Sequence, residues 1–440
     1  MSQRDSANAI PRTPAVDPIN PDSTTSATGA RADALLRALA TASAPGDGVT
    51  RLPFTSEHRA ALDILRTLMT DAGLSVSLDA AGTLIGRQSG PPGSLTLLTG
   101  SHQDSVRHGG AFDGIMGVVL PVLALQQLRD AGVALPFAVE VLAFADEEGM
   151  RFPTALLGPR ALAGTLDPAV LAMHDRDGVT LAAAMRDFGL DPDALPTLRR
   201  DPASVLGFVE VHIEQGPVLE QADEALGVVT AIAGIERHSV QLTGRASHAG
   251  TVPMALRRDA MAGAAELVSA VERHARDTPG LLANVGALDV WPNAANAIPG
   301  RVDLVVELRS DSDAVREAAG VAIADIAAAI AERRGLGITQ SRTYFQTATP
   351  CAADFIDAMD AAVQQVGGAG LRLPSGAIHD ASAMADLCPI GMLFVRCREG
   401  ISHNPAEYAS ADDMALAVDA MAAFFRGLAA RHEQPPLALL

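Results

Sequence analysis

Four separate apolar, strand-like runs in this sequence each lead to histidine or acidic residues. These residues are His102 after the run 94–101, the acids at 146–148 after 138–145, His212 after 207–211, and His403 a short turn beyond 392–397. In an open α/β sheet, ligands bind outside the carboxyl ends of the strands. The four runs therefore predict one shared site built from imidazole and carboxylate groups.

Imidazole and carboxylate groups are ligands of Zn²⁺ and Mn²⁺, and the lack of a thiolate leaves the choice between these ions open. The Gly-rich turn 109–114 can bring Asp113 back towards His102, where its two oxygens can bridge two ions. With Glu148 as a ligand, Glu147 can take a proton from a water whose pKa the ions lower. Asp104 can hold the second ring nitrogen of His102. Each group alone also fits an ordinary polar strand end, but their recurrence favours a metal site.

Composition excludes several classes of partner. The net charge of −19 argues against nucleic acid or an anionic membrane surface, because both attract a basic face. No apolar run reaches the roughly 18 residues of a transmembrane helix, and we read no signal peptide. The 3 cysteines form no metal-type pair and favour a reducing compartment without a disulfide framework. We therefore expect a cytoplasmic protein.

Periodicity predicts an α/β protein with two domains. Residues 30–226 alternate strand-like and helical segments, as in a three-layer α/β/α catalytic domain, and this domain resumes over 343–440. Between them, 227–342 has the order β-α-β-β-α-β of a ferredoxin-like α+β unit, which we expect to form an inserted lid. Residues 1–29 are rich in Ser, Thr, Pro, Asn and Ala, and we expect a disordered extension there.

Six motifs resemble those of the M20 family of metallo-hydrolases, in its amidase/hydantoinase-carbamoylase branch. They are GSHQDSVRHGGAFDGIMGV (100–118), DEEGMRFP (146–153), HIEQGPVLE (212–220), ASHAGTVPM (246–254), PNAANAIPG (292–300) and GISHNPAE (400–407). They occur in the family's order, and the resemblance covers roughly residues 30–430. It implies the same catalytic domain with an inserted lid that also forms a homodimer.

The resemblance also implies roles for individual residues. Two divalent ions, Zn²⁺ or Mn²⁺, would bind per subunit, one to His102 and His212 and the other to Glu148 and His403, with Asp113 between them. Glu147 resembles the general base. His248 resembles a residue that reaches across the dimer to polarise the scissile carbonyl. The residues that resemble substrate contacts are Gln215, Asn296, Arg309 and His379.

The resemblance implies a small-molecule substrate with an amide or ureido bond. His212 replaces an acid found in the peptidase branches, which argues against the alternative of an aminopeptidase. The segments GMLFVRCREGISHNPAE and HAGTVPMALRRDA resemble allantoate amidohydrolases most, so allantoate is the expected substrate. An N-carbamoyl-L-amino acid or β-ureidopropionate is the alternative. Ile378, Ser382 and Glu399 depart from the family pattern and affect the substrate expectation. A non-catalytic, metal-dependent ureide-binding protein is an alternative of another class, against which the intact Glu147 argues.

Overall fold

A computed structural model describes residues 26–432. Most of the predicted disordered extension, 1–29, lies outside these residues, but the first helix already begins at Ala27. The strands of the described chain are β1 Ser75–Leu78, β2 Leu84–Gln88, β3 Thr96–His102, β4 Ala138–Phe144, β5 Val205–Ile213, β6 Leu226–Ile232, β7 Gly234–Thr243, β8 Ser247–His248, β9 Leu282–Trp291, β10 Ala297–Ile298, β11 Arg301–Ser310, β12 Gly337–Gln346, β13 Thr349–Pro350, β14 Leu371–Ser375 and β15 Ile390–Val395.

The α-helices alternate with the strands outside the lid. They are α1 Ala27–Ala40, α2 Ser56–Asp71, α3 Met116–Asp130, α4 Leu157–Ala163, α5 Leu181–Asp187, α6 Val218–Gln221, α7 Ala260–Asp277, α8 Asp313–Arg334, α9 Ala353–Gln365, α10 Asp380–Met384 and α11 Ala411–His432. The apolar helices α3 and α11 pack against each other in the core. Among the described helices, none has both the length and the apolar character needed to cross a bilayer.

The catalytic domain is built on a nine-stranded sheet within the described chain. The strand order is β1-β2-β4-β3-β5-β15-β6-β13, and β14 pairs with β6. The central strands β4, β3, β5 and β15 run parallel to one another. They are buried on both faces, as parallel strands between two helical layers must be. Two apolar clusters pack against the sheet, one with α1, α2, α3, α9 and α11 and the other with α10, and α4 contributes to both. The predicted three-layer α/β/α fold is confirmed.

The lid is a four-stranded antiparallel sheet with order β12-β7-β11-β9. Helices α7 and α8 cover one of its faces, and β11 shows the alternating burial that this one-sided covering produces. The chain order β7-α7-β9-β11-α8-β12 is the predicted β-α-β-β-α-β unit. The other face of the lid sheet carries the odd-numbered residues of β7 and β11.

Both junctions between the domains differ from the predicted lid, 227–342. The sequence predicts a strand-like run over 227–243 with a break near Gly234, and the structure has two strands there, β6 and β7, separated by Ala233 alone. Strand β6 lies between β15 and β13 in the catalytic sheet and is buried there, whereas β7 begins the lid sheet at Gly234. Strand β12 continues to Gln346, which still pairs with Ile235. The lid therefore spans 234–346.

Candidate metal centre

The predicted metal ligands lie at one edge of the catalytic sheet. Strands β4, β3, β5 and β15 are adjacent and parallel, so their carboxyl ends meet at that edge. His102 is the last residue of β3, and His212 precedes the last residue of β5. The acids after β4 and the turn after β15 bring Glu148 and His403 to the same place. The structure thus brings together residues from four separate parts of the sequence.

Asp113 lies between two groups of potential ligand atoms. Its Oδ1 is 3.2 Å from Nε2 of His212 and 3.6 Å from Nε2 of His102. Its Oδ2 is 3.2 Å from Nε2 of His403, which is 3.8 Å from Oε1 of Glu148. Within each group, the potential ligand atoms lie within 4.8 Å of one another. A cation in each group with Asp113 between them is compatible with this arrangement, and the ligand assignment stays a prediction.

Main-chain carbonyl groups orient two of the histidines. Nδ1 of His102 is 3.0 Å from the carbonyl oxygen of Asp104, and Nδ1 of His212 is 2.9 Å from that of Ile213. Because a carbonyl oxygen only accepts, each Nδ1 carries a proton and donates it. The Nε2 atoms therefore face Asp113, and Nε2 of His212 has no hydrogen-bond partner in residues 26–432. In a neutral ring this atom offers a lone pair, so the donor set fits a divalent cation.

Asp104 supports the cluster in a way that differs from the prediction. Its carboxylate is 3.9 Å from Nδ1 of His102, beyond hydrogen-bonding distance, and its main-chain carbonyl holds that ring instead. The carboxylate accepts the main-chain N–H groups of Glu147, at 3.2 Å, and Glu148, at 3.3 Å. Asp104 therefore connects His102, the candidate ligand at the end of β3, with the acids that follow β4.

The acids that follow β4 are crowded and buried. Burial raises the pKa of the Glu147 carboxyl well above its usual range, His102 opposes this, and the charge of Glu148 adds to it. Burial raises the pKa of Glu148 to about 7, with His102 opposing and the charge of Asp113 contributing. Buried carboxyl groups close to one another resist ionisation until positive charge is supplied. Bound cations would supply that charge and favour the ionised ligands.

A cleft of about 550 Å³ opens over the cluster, between the catalytic domain and the lid. Besides the ligand cluster and Glu147, its walls include three arginines, Arg160, Arg237 and Arg309. We call it the metal-lined cleft. Its arginines suit an anionic substrate that carries a carboxylate. Of these three, only Arg309 was predicted from the sequence. The strand register that brings Arg237 beside the cleft, and the packing that brings Arg160 there, are not visible in the sequence.

Glu307 holds two of these arginines at the cleft wall. It accepts from Nε of Arg309 at 2.8 Å and from Nε of Arg237 at 2.6 Å. Burial alone would raise the pKa of Glu307, but the hydrogen bonds from the arginines outweigh burial and lower it. Arg309 also donates from Nη1 to the carbonyl oxygen of Gly376, at 2.5 Å. Arg309 thus links the lid to the catalytic domain beside the cluster.

His248 and Asn296 lie at the end of the lid remote from the cleft. Strand β7 starts beside the cleft, and its 10 residues extend about 30 Å to Thr243 at roughly 3.3 Å per residue. His248 follows that far end and is exposed. The carbonyl oxygen of Asn296 accepts the N–H of Ala249 at the same end. Within one chain, the structure does not bring these two residues to the metal-lined cleft.

Gln215 and His379 lie close to the cluster. Gln215 lines the cleft, and its Nε2 donates to Oδ2 of Asp113 at 3.1 Å. His379 is 1% exposed, and its ring centroid lies 4.4 Å from that of His212. Its Nε2 is 2.7 Å from Oγ of Ser375, and burial lowers the pKa of His379 well below its usual range. His379 therefore supports the His212 ring in this conformation, and the substrate contacts of both residues stay predictions.

The three departures from the family pattern occupy different positions. Ile378 lines the metal-lined cleft. The Ser382 hydroxyl donates to the carbonyl oxygen of His379 at 2.7 Å, so it points back into its own turn. Glu399 belongs to the turn Arg398–Gly400, where its N–H donates to the Glu220 carboxylate at 2.7 Å. Ile378 is the departure that changes the surface of the cleft.

The family description "Peptidase family M20/M25/M40" matches residues 97–427, which cover both the catalytic domain and the lid. The chain belongs to this family. M20 proteins are metal-dependent, in agreement with the potential ligand cluster.

Curated relatives and solved structures resemble this M20 chain over most of its length. It is 45% identical over 378 residues to the N-carbamoyl-L-amino acid amidohydrolase of Geobacillus stearothermophilus, covering 86% of this chain and 92% of the relative. It is 40% identical over 389 residues to the allantoate deiminase of Arabidopsis thaliana, covering 81% and 74%. A hydantoinase/carbamoylase family amidase from Burkholderia multivorans superposes with a TM-score of 0.85 at 32% identity, covering 91% and 97%. The family membership and these relatives identify the M20 chain as a hydrolase.

Glu407 is a supporting residue to which the sequence analysis gave no role. Its Oε1 accepts the main-chain N–H groups of Phe112, at 3.0 Å, and Asp113, at 2.9 Å. Its Oε2 accepts the hydroxyl of Ser402, the neighbour of a candidate ligand, at 2.7 Å. Glu407 thus fixes the segment that carries Asp113 against the turn after β15. The sequence signal was an acid close to a candidate ligand in the motif 400–407.

We expect a chelator to lower the thermal unfolding temperature of this M20 hydrolase, and added Mn²⁺ or Zn²⁺ to restore it. A ligand at 100 times its Kd stabilises a folded protein by about 2.7 kcal/mol. In the metal-free protein the pKa of Glu148 is raised to about 7, so the folded state loses stability as pH rises towards that value. Metal binding needs the ionised group. The stabilisation by metal should therefore increase between about pH 5 and pH 8.

The control for this measurement is a pair of aspartate substitutions. Asp113→Asn should remove most of the metal-dependent shift in unfolding temperature, because Asp113 contacts both ligand groups. Asp277→Asn, on an exposed residue at the end of α7, should leave the shift unchanged. A wild-type unfolding temperature that is the same with and without divalent ions would contradict the metal assignment.

We expect Glu407→Ala to weaken metal binding by about 10- to 100-fold, the usual effect of losing a group that orients ligands. Glu407→Gln should change it by only a few fold, because the amide oxygen can still accept the N–H groups of Phe112 and Asp113. Isothermal titration with Mn²⁺ measures both, and Glu332→Ala on the exposed surface is the control. Unchanged metal affinity in Glu407→Ala would contradict the role of Glu407 in positioning the segment that carries Asp113.

Proposed function

We propose that this M20 hydrolase cleaves the C–N bond of a linear ureido acid in the metal-lined cleft. The observation that carries the proposal is the position of Glu147 beside two ligand groups that share Asp113, in a cleft that Arg309 also lines. Such a site can bind a substrate carboxylate and hydrolyse a nearby amide bond. The names of the relatives, which include N-carbamoyl-L-amino acid amidohydrolases and allantoate deiminases, support this substrate class.

We propose that the two ligand groups hold two divalent ions, Zn²⁺ or Mn²⁺. His102 and His212 would hold one ion, Glu148 and His403 the other, and Asp113 would contact both. When bound, the ions lower the pKa of a water and polarise the scissile carbonyl. The buried main-chain contacts of the histidines fix the rings in the tautomer that this role needs.

Glu147 is the proposed proton carrier. It lines the cleft, is 9% exposed, and adjoins the ligand Glu148 in the chain. Burial raises the pKa of its carboxyl well above the usual range, and a general base is most effective when its pKa lies near the operating pH. In the proposed reaction, Glu147 takes a proton from the attacking water and then gives one to the leaving nitrogen. This step breaks one C–N bond of the terminal ureido group and releases ammonia and a carbamic acid. The carbamic acid then breaks down to CO₂ and the free amine.

Arg309 is the proposed anchor for the substrate carboxylate. Its guanidinium lines the cleft and is held in place by Glu307, so its geometry is fixed before the substrate arrives. Gln215 and His379, beside the ligand cluster, are further proposed contacts. Allantoate and N-carbamoyl-L-amino acids both carry a carboxylate on the carbon that bears the ureido nitrogen. Both therefore fit this arrangement, and allantoate is the substrate that the sequence motifs favour.

A second copy of the chain would complete the site. His248 and Asn296 are the predicted catalytic and substrate-binding residues of the lid, yet they lie beyond the far end of β7, a strand about 30 Å long that starts beside the cleft. We propose a homodimer formed through the lid, in which these residues reach the cleft of the partner. The exposed position of His248 supports this arrangement.

We expect the protein loaded with Mn²⁺ or Zn²⁺ to release ammonia from allantoate or from N-carbamoyl-L-amino acids. Glu147→Gln should lower kcat by about 10²- to 10⁴-fold, because the amide cannot carry the proton. Its metal content, measured by atomic emission, should stay that of the wild type, whereas Glu148→Gln should lose metal as well as activity. Full activity of Glu147→Gln would contradict its role. Release of no ammonia by the wild type from any of these compounds would favour the ureide-binding alternative.

Mixing two inactive variants tests the proposed dimer. His248→Ala and Glu147→Gln should each be inactive alone. After the subunits are separated and re-paired at random, about half the dimers are mixed, and each mixed dimer has one complete site. We therefore expect about a quarter of the wild-type activity to return. A control mixture of Glu147→Gln with Glu148→Gln, both changed at the same cleft, should stay inactive. No recovery in the first mixture would contradict a shared site.

A further inference from the structure

A second cavity adjoins the metal-lined cleft at the junction of the lid and the catalytic domain. It has a volume of about 690 Å³, within the range of small-molecule sites. Gln215, Arg309 and Ala377 line both this cavity and the metal-lined cleft, so the two spaces share a wall. We call the second space the junction cavity.

The walls of the junction cavity are mainly apolar. The catalytic domain contributes Pro217, Val218, Leu373 and Phe394, and the lid contributes Leu281 and Leu282. Leu282 is 65% exposed and Val218 is 47% exposed, although both face the cavity. Apolar side chains exposed together on opposite walls gain free energy when an apolar group covers them. The cavity therefore favours an apolar ligand group.

Apart from Oε1 of Gln215, the polar side chains around the junction cavity are already hydrogen-bonded or face solvent. The Glu214 carboxylate accepts two N–H groups of α6, at 2.7 and 3.0 Å. The Ser375 hydroxyl lies 2.7 Å from Nε2 of His379. Asp311 is exposed at the rim. A polar ligand group in this cavity would lose its hydration and find few partners, which costs free energy.

The shared wall offers two polar contacts that point to a ureido acid. Oε1 of Gln215 is buried and accepts no hydrogen bond from the described residues, while its Nε2 is bonded to Asp113. A ureido N–H is a donor that this oxygen lacks. Arg309 on the same wall can take the carboxylate. If these contacts hold the ureido nitrogen and the carboxylate of one α-carbon, the remaining substituent can enter the junction cavity.

We propose that the junction cavity binds the side chain of an N-carbamoyl-α-amino acid, and that this side chain is large and apolar. The inference rests on the proposed function, because it requires the ureido group and the carboxylate in the metal-lined cleft. Allantoate carries a second ureido group in place of the apolar side chain. The N–H and carbonyl groups of that ureide would face Leu282 and Val218 without partners. The cavity thus selects apolar N-carbamoyl amino acids over allantoate.

The first part of the test compares substrates with the metal-loaded wild type. N-carbamoyl-L-leucine and N-carbamoyl-L-phenylalanine should have a kcat/KM at least about tenfold above that of N-carbamoylglycine, which has no side chain to bury. Allantoate should also be the poorer substrate. Equal or better turnover of N-carbamoylglycine or allantoate would overturn the side-chain subsite but leave the proposed function intact. No turnover of any of them would overturn both.

The second part places a charge on each wall of the junction cavity. Leu282→Asp on the lid and Val218→Asp on the catalytic domain should each lower kcat/KM for the leucine derivative by roughly 10- to 100-fold. Activity on N-carbamoylglycine should change less than about threefold in the same variants, because the metal-lined cleft is untouched. Leu282→Met keeps the wall apolar and is the matched control. If a charged variant does not fold, Leu282→Ala replaces it in the test, because it removes apolar surface from the wall without adding a charge. If these variants kept the full wild-type preference for N-carbamoyl-L-leucine over N-carbamoylglycine, the proposal would be overturned.

Discussion

Burial of negative charge around Asp113 is the constraint on which the rest of the structure depends. Asp104, Asp113, Glu147 and Glu148 lie within one buried cluster. Burial raises the pKa of Asp104, Glu147 and Glu148, whereas at Asp113 the hydrogen bonds from His102, His212 and His403 outweigh burial and lower the pKa. Histidine rings and main-chain N–H groups compensate part of this charge. Divalent cations would compensate more of it, and the ligand geometry is compatible with them. The cluster is therefore best understood as a site whose stability and chemistry are both coupled to metal binding.

The fold keeps this cluster in place with rigid elements from distant parts of the chain. Ligands at the ends of parallel strands cannot move apart without breaking the sheet. The loops are fixed by side chains: Asp104 accepts the N–H groups of the acids after β4, and Glu407 accepts those of the turn that carries Asp113. Glu407 and Asp113 are 294 positions apart in the sequence. The catalytic domain is discontinuous, yet its two parts meet at the site itself.

The lid contributes different chemistry at its two ends. At the junction, Arg309 contacts both Glu307 and the carbonyl oxygen of Gly376, so it connects the lid to the catalytic domain beside the cleft. At the far end, His248 is exposed and remote from its own cleft. This division makes sense if one end binds the substrate of its own subunit and the other serves a partner, as we propose.

The sequence alone determined the chemistry of the site and the class of the fold. Apolar runs that lead to His102 and His212 predicted the buried parallel strands and placed potential ligand residues at their ends, because residue type and periodicity are local properties. Sequence indicated a break near Gly234 but could not assign the two strands to different domains, because only strand pairing shows that β6 belongs to the catalytic sheet and β7 to the lid sheet. It also could not find Glu407 or Arg237, whose roles depend on contacts between residues far apart in the chain. Only the tertiary structure decided the lid junctions and the contacts of Glu407 and Arg237, because packing and strand register bring together residues that are far apart in the chain.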